Sequence, residues 1–524
     1  MDGCKNSADG DVVGNSSTIL LTTINAKWIH PSLAMRLLKA NLGELEEGTA
    51  IVEFALRQPL AEKVGPVLAA RPRILGISVS IWNHRATVEL LQALEQVWGG
   101  GTVPRPVIVL GGPEVSYLPL EAELLGYADW VVRGEGEVVF RELCGVLLER
   151  DEAELYRDKN GLGEKIAALP SVESGAGKFI TAKAVDLTGI DPGYRLYTGE
   201  DLGRKLVYVE ASRGCPFGCE FCLSSLDRRV REFPLDGFLT EMAALIERGA
   251  RTFKFLDRTF NLDIARARRI MEFFLGRIGE VSPLCVHFEM VPARFPAELR
   301  ELLSRFPTGS LRLEVGIQTF NSDTAALIGR DNDPVKELET LNFLRQHTSA
   351  IVHADLIAGL PGEDLASFGE GFDQLWGALS GEGTAVQTVT DPQRNDTLQA
   401  EQSAKPPAEI QLGILKCLPG TPIVRHSETC GMRYAPDPPY EALETAALPA
   451  RDLDRVKNFA RFWELIVNRD AFPDLTARLF PGGKAVFGRF MEAADWLLAR
   501  FGRNWGIDRA ELRAALEAWE NHKR

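Results

Sequence analysis

The sequence predicts an α/β protein with two successive parallel sheets and an all-helical C-terminal region. Three observations predict this. Short apolar, β-branched runs alternate with segments of helical spacing over residues 18–150, and the same alternation returns over residues 205–425. From Pro438 onward, apolar residues recur at helical spacing only. Alternating strands and helices are typical of βαβ units with parallel strands, so we expect a flavodoxin- or Rossmann-like doubly wound sheet first and six further parallel strands after it.

Length, composition and charge narrow the class of protein. The 524 residues suffice for two to four domains, and contents of 45% hydrophobic and 25% charged residues are ordinary for a soluble globular protein. The net charge of −14 argues against a broad electrostatic grip on nucleic acid or an anionic membrane. No apolar run could span a bilayer, and residues 1–17 lack a signal-peptide core. We therefore expect a cytoplasmic protein with a disordered tail at residues 1–17.

The first region, residues 18–150, is predicted to hold five strands with helices between them. The strands are Thr18–Thr23, Ile51–Ala55, Ile74–Val79, Val107–Leu110 and Trp130–Val132, and the helices are Leu33–Leu42, Thr87–Val97 and Val138–Leu148. Ligands of such sheets bind at the carboxyl ends of the strands. The glycines and polar residues of this region cluster there, at Asn25–Ser32, Ser78–His84, Gly111–Ser116 and Gly134–Glu137. Ordinary tight turns in a domain that binds nothing are the alternative.

Residues 151–204 are turn-rich and are predicted to be an interdomain linker with a short β element near Phe179–Ala182. The second region, residues 205–425, is predicted to contain six strands: Lys205–Ala211, Thr252–Leu256, Leu284–Glu289, Leu311–Ile317, Ile351–Ile357 and Ile410–Leu415. The predicted helices between them are Leu235–Arg248, Ile264–Ile278, Pro296–Ser304, Asp333–Gln346 and Asp364–Leu379. Residues 381–407 lack apolar periodicity and are predicted to be a flexible insert.

Residues 426–524 are predicted to form a helical C-terminal domain. The expected helices are Tyr440–Ala447, Asp452–Asn468, Phe472–Leu479, Lys484–Ala499 and Arg509–His522. Their helical spacing predicts a core made from Trp463, Phe487, Phe490, Trp496, Leu497 and Trp519. This region carries no metal or catalytic motif, so we expect it to cap the substrate site or to form a dimer contact.

Three cysteines on one loop are the strongest chemical signal in the chain. Cys215, Cys219 and Cys222 follow a buried apolar run in C-x3-C-x2-C spacing, and the glycines and proline between them allow the thiolates to converge. Three ligands are too few to close a tetrahedral zinc site, but they would leave one iron of a 4Fe-4S cluster open. Zinc with a distant fourth ligand, or three unrelated cysteines, remain alternatives.

This loop resembles the cluster motif of the radical S-adenosylmethionine (radical SAM) enzymes, and Phe221 before the last cysteine fits that motif. The resemblance implies a partial (β/α)6 barrel, a 4Fe-4S cluster on the three cysteines and SAM chelated by the open iron. It also implies an external electron donor and cleavage of SAM to methionine and a 5′-deoxyadenosyl radical. Strand-end stretches after the second, fourth and fifth strands match further family motifs. Through them the resemblance implies a pocket for SAM or substrate lined by Phe221, Asp257, Asn261, Glu314, Gln318, Gly359 and Pro361.

The flavodoxin-like region directly before this motif is similar to the cobalamin-binding domain of cobalamin-dependent radical SAM enzymes. Gly111-Gly112 matches the family's Gly-Gly turn, and Ser78-Val79-Ser80 lies where its serine element is found. The resemblance therefore implies cobalamin contacts from Ser78, Ser80, Gly111, Gly112, Pro113, Glu114, Gly134 and Glu135. The Asp-x-His-x-x-Gly motif that supplies a cobalt ligand elsewhere is absent. His30 lies in the corresponding loop, but a single loop histidine is more typical of a hydrogen-bonding residue than of a metal ligand.

The resemblance implies methyl transfer to an unactivated centre of a small-molecule or peptide substrate, through the 5′-deoxyadenosyl radical and methylcobalamin. A cyclisation or rearrangement, with or without cobalamin, is the alternative within the family, and a non-enzymatic cobalamin or metal sensor is a third. Methylthiotransferases share the domain order but carry a second cysteine trio, for which only Cys4 and Cys144 are available here. Cys417 at the end of the last strand is a candidate hydrogen-atom donor, although a buried structural thiol is expected. The sequence names neither a substrate nor an oligomeric state.

Overall fold

The computed structural model describes residues 17–150, 159–380, 408–480, 483 and 485–523. The predicted tail (except Ser17) and the predicted insert 381–407 therefore lie outside the described residues. By its internal contacts the chain divides into two compact units. The first comprises the described residues up to Val209 together with Thr240–Ala250, and the second comprises Glu210–Leu239 and the described residues from Arg251 onward.

The first unit is built around a seven-stranded sheet. Its strands are β1 (Ile19–Asn25), β2 (Thr49–Ala55), β3 (Ile74–Ser78), β4 (Val107–Gly111), β5 (Trp130–Arg133), β6 (Val172–Ala176) and β7 (Phe179–Ala182), in the order β2-β1-β3-β4-β5-β7-β6. Its helices are α1 (Leu33–Ala40), α2 (Leu60–Ala70), α3 (His84–Gly99), α4 (Glu123–Gly126), α5 (Glu137–Leu148), α6 (Lys159–Ala167) and α7 (Gly199–Arg204). The order of β1 to β5 is the flavodoxin-like order, which confirms the predicted doubly wound sheet.

Both faces of this sheet are apolar and covered. Residues of α1, α5 and α6, among them Met35 and Leu143, pack with one set of strand side chains. Residues of α2 and α3, among them Val67 and Leu94, pack with the other set. The strands of such a sheet are buried on both sides, which explains the unbroken apolar runs that made them predictable.

The predicted linker 151–204 is wrong in its described part, because residues 159–182 belong to the first sheet. β7 pairs in parallel with β5, and β6 pairs antiparallel with β7. The chain after β7 is also held in this unit, since Arg36 of α1 forms ion pairs with both Glu53 (2.9 Å) and Asp201 (2.7 Å). The short β element expected near Phe179–Ala182 is confirmed as β7, whereas β6 was not predicted because it is short and largely exposed, and so carries no apolar pattern.

The second sheet has six strands, which confirm the predicted strands to within two residues at each end. They are β8 (Val207–Val209), β11 (Thr252–Phe255), β12 (Cys285–Met290), β13 (Leu311–Gln318), β14 (Ile351–Ala358) and β15 (Ala408–Ile414), in the order β15-β14-β13-β12-β11-β8. The helices are α8 (Leu235–Glu247), α9 (Ile264–Glu280), α10 (Ala297–Ser304), α11 (Ser322–Leu327), α12 (Pro334–His347) and α13 (Leu365–Ser380). A two-stranded ribbon of β9 (Ser212–Arg213) and β10 (Arg231–Glu232) was not predicted.

The strands of the second sheet bury only one face. Phe253, Phe255 and Phe288 pack against Phe274 of α9 or against one another, with ring centroids 4.7–5.9 Å apart. The opposite face carries polar and charged side chains, and the burial of β12 alternates residue by residue. This alternation is the two-residue period of strands that bury one face.

The C-terminal region contains α14 (Ala450–Trp463), a π-helical segment (Glu464–Asn468), α15 (Pro473–Leu479), α16 (Val486–Phe501) and α17 (Arg509–Lys523). The predicted helix Tyr440–Ala447 is wrong: β17 (Ala442–Glu444) pairs there with β16 (Arg433–Tyr434). Tyr440 has a φ of 57°, which a right-handed helix does not allow, and the Ala442 amide donates to the Leu415 carbonyl. No helix among the described residues is long and apolar enough to cross a bilayer.

The C-terminal helices pack directly on the second sheet's own helix α13. Phe372 and Trp376 of α13 meet Trp463 in edge-on ring contacts, with centroids 4.8 and 5.4 Å apart. Asn468 donates to the Ile410 carbonyl (3.0 Å) and accepts from the Ile410 amide (3.2 Å), so it ties the π-helical segment to β15. This region is therefore a continuation of the second unit.

Candidate active site

The three cysteines lie on the loop that follows β8, at the carboxyl end of the second sheet. Gly214 turns the chain into this loop with a φ of 94°, and a side chain there would collide with the carbonyl oxygen of Arg229. The Cys222 amide donates to the Cys219 carbonyl (3.1 Å), which brings the last two cysteines onto one tight turn. All three thiols are partly exposed.

Glu220 anchors the cysteine loop from within. Its carboxylate is buried and meets His426 Nε2 at 2.9 Å and the Arg425 guanidinium. Its backbone is held as well, because its amide donates to the Ile328 carbonyl (2.9 Å) and its carbonyl accepts from the Ile423 amide (3.1 Å). These contacts fix the loop backbone and leave the cysteine side chains directed at a cavity.

That cavity, which we call the cysteine cavity, has a volume of about 170 Å³. Cys215, Cys219 and Cys222 all line it, and so do Phe221 and Gln318 from the predicted pocket. Charged side chains that the sequence did not single out also line it: Arg258, Glu289, Arg330, Asp331 and Glu337. Within the described residues no three Cys, His, Asp or Glu side chains are already gathered at ligand distance around one point. Three thiol donors on one cavity, whose described lining has no further Cys or His, nonetheless fit a 4Fe-4S cluster with one open iron.

Arg330 brings a cation into contact with one of the cysteines. One nitrogen of its guanidinium donates to the Gly316 carbonyl and another lies 3.9 Å from Cys219 Sγ. Burial raises the pKa of the Cys219 thiol and Arg330 opposes that shift. If a cluster were held on the three cysteines, the Arg330 guanidinium in the same cavity would be suited to bind the carboxylate of SAM. The sequence analysis did not identify Arg330. It lies outside the strand-end motifs, after the helix α11, which was not predicted.

The turn 257–261 contributes its arginine to the cavity, whereas its Asp and Asn support the backbone. Asp257 accepts from the Ala211 amide (2.9 Å) and Ser212 Oγ (2.6 Å), and burial raises its pKa to about 6. Asn261 donates to the carbonyls of Val291 (3.0 Å) and Arg294 (2.7 Å). Neither lines the cavity, but Arg258 does, and it lies 3.4 Å from Glu289.

Gln318 reaches the cavity through an irregularity at the end of β13. Its φ of 72° is rare for a residue with a side chain, and the strand register shifts between Gly316 and Gln318. A Cβ on Gly316 would lie 2.6 Å from Gln318 Nε2, so the glycine makes room for the amide. Conformations of this kind are often found at functional sites.

Glu314, Gly359 and Pro361 do not line the cysteine cavity. Glu314 lies deeper on the polar face of the second sheet, 3.2 Å from Lys254 Nζ and 3.3 Å from His287 Nε2. The close contact with His287 and the charge of Lys254 lower the pKa of Glu314 to about 2. The Pro361 carbonyl accepts from Thr324 Oγ1 (3.3 Å), which makes it a contact to α11.

Hydrogen bonds connect the loops after β1, β3 and β4 at the carboxyl end of the first sheet. Asn83 is fully buried, accepts from the Ser80 amide (2.8 Å) and donates to the Ile24 carbonyl (3.0 Å). Glu114 is buried and lies 2.7 Å from His84 Nδ1. Ser80 and Glu114, both predicted cobalamin contacts, therefore also hold these loops together.

Gly112 and Gly134 have positive φ angles of 101° and 87°. A Cβ on Gly112 would lie 2.5 Å from the Val79 carbonyl oxygen, so the turn after β4 requires glycine. Ser116 Oγ donates to the Gly112 carbonyl (3.0 Å) and accepts from the Gly134 amide (3.4 Å). The predicted residue Glu135 accepts from the Val185 amide (2.8 Å). Ser78 and Gly111 end β3 and β4 at this same edge, and Pro113 follows directly.

Exposed apolar surface is concentrated at the same edge. In the described part of the chain up to residue 209, every large hydrophobic side chain classed as exposed follows the carboxyl end of β1, β2, β3 or β4: Trp28, Ile29, Leu60, Trp82, Tyr117 and Leu120. Trp28 and Trp82 are each about half exposed, at 50% and 52%. An apolar rim around small turn residues fits a cofactor with a large flat ring such as cobalamin.

His30 and Cys417 have local partners. His30 Nδ1 lies 2.8 Å from the Tyr208 hydroxyl, as expected for a hydrogen-bonding histidine. The Cys417 amide donates to the Tyr440 carbonyl (3.0 Å), and burial raises the pKa of its thiol. Cys417 does not line the cysteine cavity, so a role as hydrogen-atom donor stays a prediction.

Comparison with known proteins supports both regions. Residues 209–375 match the Radical SAM superfamily and residues 19–144 match the B12 binding domain. An uncharacterized methyltransferase, PH0819 of Pyrococcus horikoshii, is 34% identical over 168 residues, which are 30% of this chain and 35% of that protein. The cobalamin-dependent radical SAM methyltransferase TokK of Streptomyces tokunonensis is 24% identical over 58% of this chain and 45% of its own length. The anaerobic magnesium-protoporphyrin IX monomethyl ester cyclase of Cereibacter sphaeroides is 23% identical over 62% and 52%. The chain thus spans about a third to a half of these relatives.

Solved structures share the fold. The radical SAM methyltransferase TsrM of Kitasatospora setae, with cobalamin and a 4Fe-4S cluster bound, superposes with a TM-score of 0.55 at 19% identity, covering 80% of this chain and 78% of that one. The cobalamin-dependent SAM radical enzyme OxsB, with aqua-cobalamin bound, gives 0.62 at 15% identity, covering 98% and 76%. This chain therefore carries a B12-binding domain followed by a radical SAM domain, and those domains imply cobalamin, a 4Fe-4S cluster and SAM as its cofactors.

Proposed function

We propose that this chain is a cobalamin-dependent radical SAM methyltransferase that acts on an unactivated centre of a small-molecule or peptide substrate. The observation that carries the proposal is the cysteine cavity, where three thiols and the Arg330 guanidinium meet at the carboxyl end of a parallel sheet. The B12-binding match over residues 19–144 adds the methyl carrier. We also propose that the protein works in the cytoplasm with an external electron donor.

The residues of the cysteine cavity divide the work of binding. Cys215, Cys219 and Cys222 hold the cluster, and Arg330 binds the carboxylate of SAM. Glu289 and Gln318 present a carboxylate and an amide that bind hydroxyl groups of SAM. When bound, the reduced cluster supplies the electron that cleaves SAM, and cobalamin supplies the methyl group.

The loops of the first sheet hold cobalamin through shape and apolar contact. Gly111 and Gly112 are proposed to contact cobalamin through the tight turn after β4, which has no room for a side chain at Gly112. Trp28 and Trp82 offer aromatic surface at the same edge. Ser78, Ser80, Pro113, Glu114, Gly134 and Glu135 are proposed to complete this site. His30, held by Tyr208, is not proposed as a cobalt ligand.

A cyclisation is the second candidate. It is favoured by the 23% identity over 345 residues to a magnesium-protoporphyrin IX monomethyl ester cyclase. Both candidates share the cluster and SAM, and they differ in whether a methyl group reaches the product.

The test uses protein purified without oxygen and reconstituted with iron, sulfide and hydroxocobalamin, compared with the triple variant Cys215→Ala/Cys219→Ala/Cys222→Ala. We expect cobalamin bands and a cluster shoulder in the wild type, and loss of the shoulder alone in the variant. Dithionite-reduced wild type should convert SAM to 5′-deoxyadenosine, and the variant should not. A wild type that retains cobalamin but forms no cluster, and instead binds zinc, would contradict the radical function.

A further inference from the structure

A second cavity, of about 700 Å³, lies between the edge strand β15 and α14. Its floor is formed by Ile357, Leu412, Ile414 and Leu418, apolar side chains that remain partly exposed. A cavity of this volume is within the range that binds small organic molecules. Phe221 lines both this cavity, which we call the strand-edge groove, and the cysteine cavity. A ligand in the groove would therefore lie beside the proposed cluster site.

One stripe of α14 faces the groove. Lys457, Ala460 and Arg461 of α14 line it together with Glu464, the first residue of the π-helical segment. Their spacing of three, one and three residues places them on a single helical face. The opposite stripe, which includes Phe459, is buried in the core. The groove thus has one polar wall and one apolar floor, the arrangement expected of a ligand site.

The described lining of the groove has more cationic than anionic side chains. Glu441 lies 3.5 Å from Lys457, and the Glu464 carboxylate lies 3.0 Å from Arg469. Both carboxylates that line the groove are therefore neutralised by these partners. Arg461 has only the Asn504 carbonyl as an acceptor (3.2 Å) in the part of the chain that the structure describes, and the Lys416 ammonium has no described acceptor. Two cations without a carboxylate partner stand next to exposed apolar surface.

We propose that the strand-edge groove binds the substrate of the proposed reaction, and that this substrate is an organic anion with an apolar body. Lys416 and Arg461 hold its carboxylate or phosphate group, while its apolar body covers Leu412 and Ile414 and ends beside Phe221. The assignment rests on the proposed function for the identity of the ligand as substrate. The site itself rests only on volume, exposed apolar surface and charge.

The test measures dye binding to the full-length protein loaded with hydroxocobalamin, so that the apolar loops of the first sheet are occupied. The probes are 8-anilinonaphthalene-1-sulfonate and its uncharged analogue N-phenyl-1-naphthylamine. Lys416→Gln/Arg461→Gln should weaken binding of the sulfonate at least tenfold and change binding of the neutral dye less than twofold. The matched control Arg204→Gln/Arg451→Gln removes two cations outside the groove lining and should change neither dye more than twofold.

A second variant keeps the test decisive. Ala460→Trp fills the groove and should weaken both dyes, with an unchanged circular dichroism spectrum. Octanoate and octyl phosphate should displace the sulfonate dye better than octan-1-ol, and the stronger of the two identifies the anionic group. Equal loss of both dyes in the double variant, equal loss in the control, or equal displacement by the alcohol would overturn the proposal.

The dye-binding test of the groove can fail or succeed independently of the SAM-cleavage test of the radical function. Dye binding requires no cluster, whereas SAM cleavage in the absence of substrate does. We expect the control variant Arg204→Gln/Arg451→Gln to form 5′-deoxyadenosine at the wild-type rate without substrate. If the wild type cleaves no SAM while the dye results hold, the groove stands as an anion site and the radical function fails.

Discussion

The two sheets of this protein differ in how many of their faces are buried. In the first sheet nearly every residue of β1, β3 and β4 is buried, since helices cover both faces. In the second sheet the burial of β11, β12 and β13 alternates, with aromatic and aliphatic side chains on one face and Lys254, His287 and Glu314 on the other. A sheet buried on both faces can bind a ligand only with its end loops, whereas a sheet with one polar face can also use the strands themselves.

The two sheets should differ most in the stability that they lose when the same polar substitution, isoleucine to glutamine, is made in each. Ile108→Gln places an amide in a fully buried position of β4, and we expect it to lower the free energy of unfolding by about 4 kcal/mol. Ile357→Gln lies on the partly exposed side of β14 and should cost about 1 kcal/mol or less. Urea unfolding followed by circular dichroism measures both. Equal losses would contradict the comparison of the two sheets.

A larger side chain in place of a strand glycine should also destabilise the first sheet more than the second, although the difference in stability should be smaller. A Cβ on Gly76 of β3 would lie 2.8 Å from Leu21 Cδ2 and 3.1 Å from Phe140 Cζ, whereas one on Gly413 of β15 would have only ordinary contacts at 3.7 Å or more. We expect Gly76→Val to lower the free energy of unfolding by about 2 kcal/mol and Gly413→Val by less than about 0.5 kcal/mol. Thermal unfolding of the pair checks this, and a destabilised Gly413→Val would show that the edge strand is covered.

The polar face of the second sheet should make the free energy of unfolding depend measurably on pH. The pKa of Glu314 is lowered to about 2, so its interactions stabilise the fold above the ordinary glutamate range and are lost as the pH falls toward 2. Between pH 6 and pH 3 the wild type should lose about 1–2 kcal/mol more stability than Glu314→Gln. Parallel curves for the two proteins would mean that the ion pair with Lys254 and the contact with His287 contribute nothing.

The smallest effect on stability is expected at the loops of the first sheet. Trp82→Ala removes a side chain that is 52% exposed and should change the free energy of unfolding by less than about 0.5 kcal/mol. Cobalamin binding should nevertheless weaken about tenfold, because the apolar rim loses an aromatic surface. Trp505→Ala, at a residue 65% exposed in the C-terminal region, is the control and should leave cobalamin binding unchanged. Absorbance titration with hydroxocobalamin measures both.

Features that depend on local pattern were predictable from the sequence. Apolar runs indicated the strands, and the cysteine spacing indicated a metal-binding loop. The strand β6 was not predicted, because a strand added to an existing edge needs little apolar surface of its own, whereas β7 is the short β element expected near Phe179–Ala182. The short helix α11 and the arginine that follows it were not predicted either.

Side-chain direction was the other quantity that the sequence could not supply. Asp257 and Arg258 are neighbours in one turn, and an aspartate at a strand end can equally face a ligand or accept from backbone amides. In the structure Asp257 accepts a hydrogen bond from a backbone amide, and Arg258 lines the cysteine cavity. Which one faces the cavity depends on the ribbon at Ser212, which pairs with Glu232 from the far side of the cysteine loop.

The extension of the first sheet by β7 and β6 also protects it from self-association. β6 is the outer strand, and it is five residues long, mostly exposed and irregular in register between Val172 and Ser174. Such an edge is a poor template for pairing with another chain. Without residues 159–182, the apolar strand Trp130–Arg133 would become the edge and present unpaired backbone groups. A fragment that ends near residue 150 should therefore aggregate, and the B12-binding domain is better isolated with its edge strands attached.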